Sequence, residues 1–419
     1  MTDWRMENLD SVCEMRPPKS EARRRLSGSE PVSFVPMHDL GVDSMYFEAR
    51  EQRALKEVEG SYTYFADDDV LLAKITPCFE NGKLGIARGL TNGIGFGSSE
   101  YFVLRPDRKL LPQFLYYFLS RESFREEGAK VMTGAVGHRR VPKEFIESYA
   151  IPLPSVDEQR RVVAMLDQAL DGIAKAKRNN EASLANVDQL LDSTRFGLLD
   201  EIGSRAEWLT LQELLDRGWI LSHLDGNHGS EYPRKEEFVT KGVPYISANC
   251  IDDEKVDMSL AKYLLPQRAV RIRKGVAQSG DVLFAHNATV GPVAVLETAE
   301  PCVILGTSLT YYRCNRANIS PRYLGHYMRS RKFREQYEQI MRQSTRNQVP
   351  ITKQREFFHL IPNIKDQIKV AAELDTLELK RLSLRELYQR KLVLLNQLKQ
   401  SLLWKAFSGE LTDARGLAA

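Results

Sequence analysis

The chain has 419 residues, 42% hydrophobic and 27% charged, with 59 basic and 56 acidic side chains for a formal net charge of +3. At roughly 150 residues per domain this is room for two to three globular cores. No stretch approaches the ~20 apolar residues of a membrane span, the acid-bearing start MTDWRMENLD is unlike a secretory leader, and five cysteines without a CxxC pair speak against a disulfide framework or zinc site.

The reducing cytoplasm is the expected compartment, and a polyanion partner would have to be met by local patches of charge. Along the first half, VLLAKITP, LGIARG and EYFVLRP read as short strands bounded by Gly, Pro or Asn. Gly93-Ile94-Gly95-Phe96-Gly97 lacks the strand-then-helix context of a phosphate-binding turn and reads as a loop. LPQFLYYFLSRESFREE has helical spacing with a proline near its start, and its aromatics read as core. Thr133 to Arg140 (TGAVGHRR) is a small, flexible, cationic stretch ahead of Val141-Pro142. IPLPS then marks the start of a helix. From Asp157 to Asp200 there is no proline, and only Gly172 and Gly197 interrupt it. Its seam is Val162, Leu166, Ala169, Ile173, Ala176, Leu184, Val187, Leu191, Thr194 and Leu198, with Asn180 on it as a polar break that can fix register.

The second half repeats this order. VLFAHN, PVAVLE and LTYYRC read as strands, SPRYLGHYMRSRKFREQYEQIM as helix, and QSTRNQ precedes Val349-Pro350. From Asp366 to Phe407 there is neither glycine nor proline, and the seam reads Leu374, Leu377, Leu384, Tyr388, Leu392, Leu395, Leu398 and Leu402. Each helical stretch is about 42 residues, or ~63 Å at 1.5 Å per residue.

The two halves also match residue by residue. DVLLA at Asp69–Ala73 returns as DVLFA at Asp281–Ala285, and Phe124-Arg125 returns as Phe333-Arg334. Ile151-Pro152, Gln159 and Leu166-Asp167 return as Ile361-Pro362, Gln367 and Leu374-Asp375. A period of half the chain means duplicated domains, because solenoid repeats are far shorter. Two helices with one apolar seam each are expected to pack on each other. The second starts where the second globular piece ends, so the pair should be antiparallel and hold the domains at a fixed separation. The fold class expected is mixed α/β, with two repeated globular domains separated by two long antiparallel coiled-coil helices. Its segments are 1–156, 157–203, 204–365 and 366–419. A coiled coil that serves only to dimerise the protein is the plainer reading of the helices.

Catalytic signatures are missing. Gly82-Lys83 is followed by Leu84 and is no P-loop, and there is no HExxH, no GxSxG and no Asp/Asn-Pro-Pro-aromatic tetrad. What stands out is basic and polar. Lys262, Arg268, Arg271, Arg273 and Lys274 fall in an acid-free run, while Arg329, Arg331, Lys332, Arg334, Arg342 and Arg346 face only Glu335 and Glu338. Arg, Asn, Gln, Ser and Thr match base edges and phosphates. Such a stretch recurs at the same place in both repeats.

LLAKITPCFENGK at 71–83, IPLPSVDEQRRVVAMLD at 151–167, DGNHGSEYP at 225–233 and LLWKAFSGEL at 402–411 carry a resemblance. On these motifs the chain resembles the specificity (S) subunits of type I restriction–modification systems over nearly its whole length. The second linker departs from the pattern as IPNIKDQIKVAAELD. The resemblance implies a non-catalytic reader of double-stranded DNA with two target recognition domains, each contacting one half of a bipartite site. Two methyltransferase (modification) subunits would bind it and use S-adenosylmethionine on adenine, and ATP-dependent restriction subunits would join them. S-adenosylmethionine, ATP and Mg would then belong to the partners, with no cofactor or metal in this chain. By position, the candidate DNA contacts are Lys74, Thr76, Asn81, Lys83, His138, Arg139 and Arg140 in the first domain. In the second they are Asn227, His228, His286, Asn287, Arg346, Asn347 and Gln348. A coiled-coil scaffold that ignores DNA sequence and a methyltransferase with unrecognised motifs are the alternatives.

Overall fold

The computed structural model describes residues 4–226, 232–252, 254–343 and 347–411. They form two compact units, residues 1–180 with 389–419, and residues 181–388.

In the first unit, Cys13–Met15, Tyr101–Pro106, Val70–Ala73 and Leu84–Ile86 lie side by side in that order as an antiparallel sheet. A second sheet is ordered Glu51–Ala54, Pro31–Val35, Ile94–Gly97, Thr63–Ala66, with only the middle pair parallel. Strand Val70–Ala73 is apolar throughout because it is buried on both faces. Val70 and Leu72 join the core beneath Phe114 and Phe118, while Leu71 and Ala73 face Phe65 and Val103.

The second unit repeats this plan. Ile220–Asp225, Leu309–Cys314, Val282–Asn287 and Thr289–Val295 form the antiparallel sheet, and Val243–Ile246 runs parallel to Val303–Leu305 in the other. Val282 and Phe284 enter one core, and Leu283 and Ala285 the other. Each unit also has a two-stranded ribbon, Arg5–Asn8 with Ala150–Leu153 and Glu207–Thr210 with Phe358–Ile361.

The structure differs from the sequence-based expectation at several points. Ile94–Gly97 is a buried strand and not a loop. Its glycines serve packing, since a Cβ on Gly95 would lie 2.2 Å from the Phe65 ring and one on Gly97 2.4 Å from the Val35 carbonyl oxygen. Each aromatic-rich helix is really two, Pro112–Leu119 with Glu122–Val131 and Pro321–Met328 with Arg331–Arg342. In the second pair the break is capped by Ser330, whose hydroxyl oxygen accepts from the Phe333 N–H at 3.4 Å.

The long helices are Val156–Gly203, 48 residues, and Ile364–Phe407, 44 residues. The second stops at Phe407, short of the expected segment end. The Ser408 N–H closes onto the Trp404 carbonyl at 2.9 Å, and Gly409 follows at φ +81°. Val162, Leu166, Ile173, Asn180 and Leu191 are buried on the first helix as the seam requires. On the second helix Leu384 and Leu398 are exposed, while Glu378 and Arg381 are buried. Charge displaces apolar packing there because Arg381 donates to Glu378 and, at 3.1 Å, to Asp188 of the first helix. Asp188 meets Arg381 and Arg385, whereas Leu199 and Ile202 share a core with Val370, Ala371 and Leu374, so the helices run antiparallel in this unit. In the first unit Val162 and Leu166 pack in one core with Leu403, Ala406 and Phe407. The architecture is mixed α/β, two globular repeats with two long helices. Among the described residues no helix is long and apolar enough to cross a membrane.

Candidate nucleic-acid interface

Strand Val70–Ala73 runs on into Lys74-Ile75-Thr76, and there it meets the cationic stretch 133–140. Thr133 and Arg140 exchange two backbone hydrogen bonds, 3.0 and 2.8 Å, which makes residues 133–140 a hairpin. The Thr76 N–H donates to the Arg139 carbonyl at 2.9 Å, and the Val141 N–H donates to the Lys74 carbonyl at 2.9 Å. Two segments that stand apart in the sequence therefore form one corner.

The side chains divide into those that face outward and those that are tied down. Arg140 grips Glu100 through two bonds of 2.9 Å, and Arg139 donates to Glu80 at 3.2 Å. Lys74 donates to the Ser99 carbonyl at 2.8 Å. Partial burial lowers the Lys74 pKa, Arg16 and Arg140 lower it further, and Glu100 opposes them. Arg140 in turn holds the Glu100 carboxyl below its usual range. His138 is exposed. Thr76 turns its hydroxyl to the Met132 sulfur at 3.8 Å, and Lys83 donates to the Met37 carbonyl at 2.7 Å. Asn81 lines a cleft with Arg125, Lys399 and Gln400. Sequence reasoning missed Arg16, Glu80 and Glu100. Position in the repeat could have found Arg16, since it follows Cys13–Met15 as Gly226 follows Ile220–Asp225.

The second unit builds the same corner. The Ala288 N–H donates to the Asn347 carbonyl at 3.0 Å, and the Val349 N–H donates to the His286 carbonyl at 2.8 Å. Asn287 bridges Gln348 as Ile75 bridges Arg140. Asn347 is exposed, and its amide donates to the Ala288 carbonyl. Asn287 and Gln348 are half-buried. His286 is only 1% exposed, and its Nδ1 lies 3.0 Å from the Val349 carbonyl, so it supports the corner from inside and presents nothing at the surface. Asn227, His228 and Arg346 lie outside the described residues.

The two basic runs fare differently. Arg271 and Arg273 are exposed and have no ion pair among the described residues, while Arg268 is held by Glu237 at 2.5 Å. A Cβ on Gly275 would lie 2.7 Å from the Gly226 Cα, so this run ends at the strand ends that carry the corner. In the second run Arg331, Arg334 and Arg342 are exposed, while the other described cations are drawn inward. Arg329 is buried and meets Glu254 at 2.9 Å beside Arg195, Arg331 pairs with Glu335, and Lys332 pairs with Asp200. Burial inside an ion network took Arg329 out of solvent.

The outward cations of the corner sit in partly exposed ion pairs, which are worth little and exchange readily for another anion. Phosphate oxygens accept bidentate arginine well. Among the described residues no group of His, Cys, Asp and Glu could hold a metal ion. Burial pushes the Cys13 and Cys314 thiols up to about 12, which leaves them without nucleophilic character.

Comparison with known proteins gives a consistent picture. Residues 1–183 match the family described as the type I restriction modification DNA specificity domain. The EcoAI specificity subunit of Escherichia coli is 31% identical over 217 residues, and the EcoEI specificity subunit of Escherichia coli is 32% identical over 220. Each of these alignments covers 51% of this chain but only 36% of the relative, so the chain spans about a third of the length of the curated relatives it matches. A chain from a structure titled for complex assembly and conformational transition of the type I R-M system superposes with a TM-score of 0.76 at 18% identity, covering 97% of this chain and 98% of the other. The HsdS subunit from Thermoanaerobacter tengcongensis gives a TM-score of 0.57 at 19% identity, covering 98% and 97%. At its N-terminal end the chain is similar in sequence to type I restriction–modification specificity subunits, and over nearly its whole length it shares the fold of the HsdS structure.

Proposed function

We propose that the chain is the non-catalytic, sequence-reading subunit of a cytoplasmic type I restriction–modification complex. It binds double-stranded DNA with a bipartite target, each globular repeat reading one half. The observation that carries this reading is the corner built twice, once around Lys74 and Arg140 and once around Asn287 and Gln348. Duplicated corners with different side chains suit two half-sites of different sequence.

Lys74, His138, Arg139 and Arg140 make the contacts in the first repeat. Asn287, Asn347, Gln348, Arg271 and Arg273 make them in the second. Arginines released from Glu80 and Glu100 take phosphate, and the amides of Asn347 and Gln348 match adenine or phosphate. Residues 1–156 and 204–365 act as target recognition domains. Segments 157–203 and 366–419 set the spacing between half-sites and dock two methyltransferase subunits. Those subunits hold S-adenosylmethionine, and ATP-dependent restriction subunits working with Mg join them, so that no cofactor resides in this chain. The curated relatives are named specificity subunits of type I restriction enzymes, which supports a sequence-reading role within a larger enzyme.

Methylome sequencing of the host with and without the gene tests the reading. One bipartite motif should vanish with the gene. Replacing residues 1–156 by those of another specificity subunit should then change one half of the motif only. Methylation that does not depend on the gene, or both halves changing together, would overturn it.

A further inference from the structure

The tip of the 133–140 hairpin carries an apolar side chain that the corner's charge chemistry does not explain. Val136 is 98% exposed. Gly134 at φ +122° and Gly137 at φ +82° flank it, and the His138 N–H closes the turn onto the Ala135 carbonyl at 2.9 Å. The base of the hairpin is pinned by the Thr133–Arg140 pair and, across Ile75, by strand Val70–Ala73. A rigid base thus holds a branched hydrocarbon clear of the protein, and nothing among the described residues covers it. Beside that base stand Lys74, Arg139 and Arg140. Cations at the root and a hydrocarbon at the tip suit a ligand with an anionic rim and an apolar feature recessed between its rims. The major groove of duplex DNA is such a ligand. It admits a two-stranded ribbon, phosphates line its edges, and the thymine 5-methyl is its one hydrocarbon.

We propose that Val136 is a specificity-determining residue, carried by the hairpin into the major groove to meet the 5-methyl group of a thymine. The inference rests on the DNA-reading function proposed above and narrows it to one residue and one atom of the base. Removing a single buried methyl group weakens binding about four-fold.

The test uses the full chain with its partner subunits and duplexes carrying the motif found by methylome sequencing. Thymines of the half-site assigned to the first repeat are replaced one at a time by deoxyuridine, which lacks only that methyl. One replacement should weaken wild-type binding about four-fold and leave Val136→Ser binding unchanged. Because Val136 makes no packing contact, the variant keeps its fold, and an intact thermal transition confirms that. The proposal is overturned if no replacement matters, if the same replacement weakens wild type and Val136→Ser equally, or if that half-site holds no thymine on either strand. An insertion of Val136 between base steps from the minor groove would give the first of these results. Binding that ignores sequence altogether would overturn the DNA-reading function as well, whereas retained preference without a methyl effect overturns only this inference.

Discussion

Gln159 and Gln367, one repeat apart, close the same joint with the same three hydrogen bonds. Gln159 accepts from the Leu111 N–H at 2.8 Å and donates to the Lys109 and Pro154 carbonyls at 2.7 and 3.0 Å. Gln367 accepts from the Ser320 N–H at 2.9 Å and donates to the Asn318 and Pro362 carbonyls at 2.9 and 2.8 Å. Both amides are 0% exposed. Each ties the first turn of a long helix to the loop that starts the aromatic helix of its globular repeat.

Truncating either amide leaves one N–H and two carbonyls buried without a partner, each costing about 1–3 kcal/mol. Gln159→Leu should therefore destabilise the first unit by roughly 2–4 kcal/mol, because some of the freed groups relax toward water. Gln367→Leu should do the same to the second. Hydrogen exchange resolved by segment reads this directly. Equal protection in variant and wild type would show that the joint contributes no stability.

Salt dependence tests the corner of the first unit. If Arg139 and Arg140 each neutralise a phosphate, the slope of log affinity against log salt should shrink by about 0.9 in Arg139→Ala and by the same amount in Arg140→Ala. Glu100→Gln should act in the opposite direction, because it removes the carboxylate that holds Arg140 with two bonds. Its affinity should rise at low salt and its slope steepen. Titration of duplex DNA at several salt concentrations decides, and an unchanged slope in all three variants would demote the hairpin arginines to structure.

The helices can be tested as a ruler. Four residues inserted between Ala176 and Lys177 add ~6 Å and about one helical turn, which nearly preserves the seam through Ile173 and Asn180. The half-sites should stay the same while the preferred gap grows by one or two base pairs, at ~3.4 Å per pair. Two inserted residues should turn the seam to solvent and abolish assembly. If the four-residue variant methylates the original spacing at full activity, the partners position the domains and the helices do not.

Acid should weaken the second unit first. Burial lowers the pKa of His223 to about 4 and that of His359 to about 3, whereas the described histidines of the first unit, His38 and His138, are exposed. A folded-state pKa below the unfolded value of ~6.5 favours the neutral ring, so this stability is fully present above pH ~6.5. It is lost as pH falls from there toward the folded values, by an amount on the order of 3 kcal/mol for each ring. Exchange protection measured at pH 7 and pH 4.5 should drop more in residues 181–388 than in the first unit. Parallel loss in both units would assign acid sensitivity to carboxylates instead.

The duplication shows how far sequence reading reaches. Asp69-Val70 and Asp281-Val282 were legible as a repeat, and each aspartate is buried in the same place in its unit. Asp69 takes two bonds from Arg105, 2.7 and 2.8 Å, and Asp281 takes two from Arg313, 3.0 and 2.7 Å. Burial raises the Asp69 pKa, and the Arg105 bonds oppose that rise. The strands were legible for a related reason, since burial on both faces demands an unbroken apolar run. The glycine-rich strand Ile94–Gly97 was not, because its small residues answer to the Phe65 ring, which is far away in sequence.

The candidate site was half legible. Composition picked out Thr133–Arg140 and the segment after Val70–Ala73, and backbone pairing joined them. It could not tell Asn347, which is exposed, from His286, whose ring is buried. Local order determined the repeat, the two long helices and the polar loops, because spacing, proline placement and the order of apolar residues act within one segment. Which cations face outward, and that Glu378 and Arg381 replace leucines on the helix seam, was decided only by tertiary structure. An ion pair depends on partners that the chain brings together from remote positions, and no local pattern encodes where they will meet.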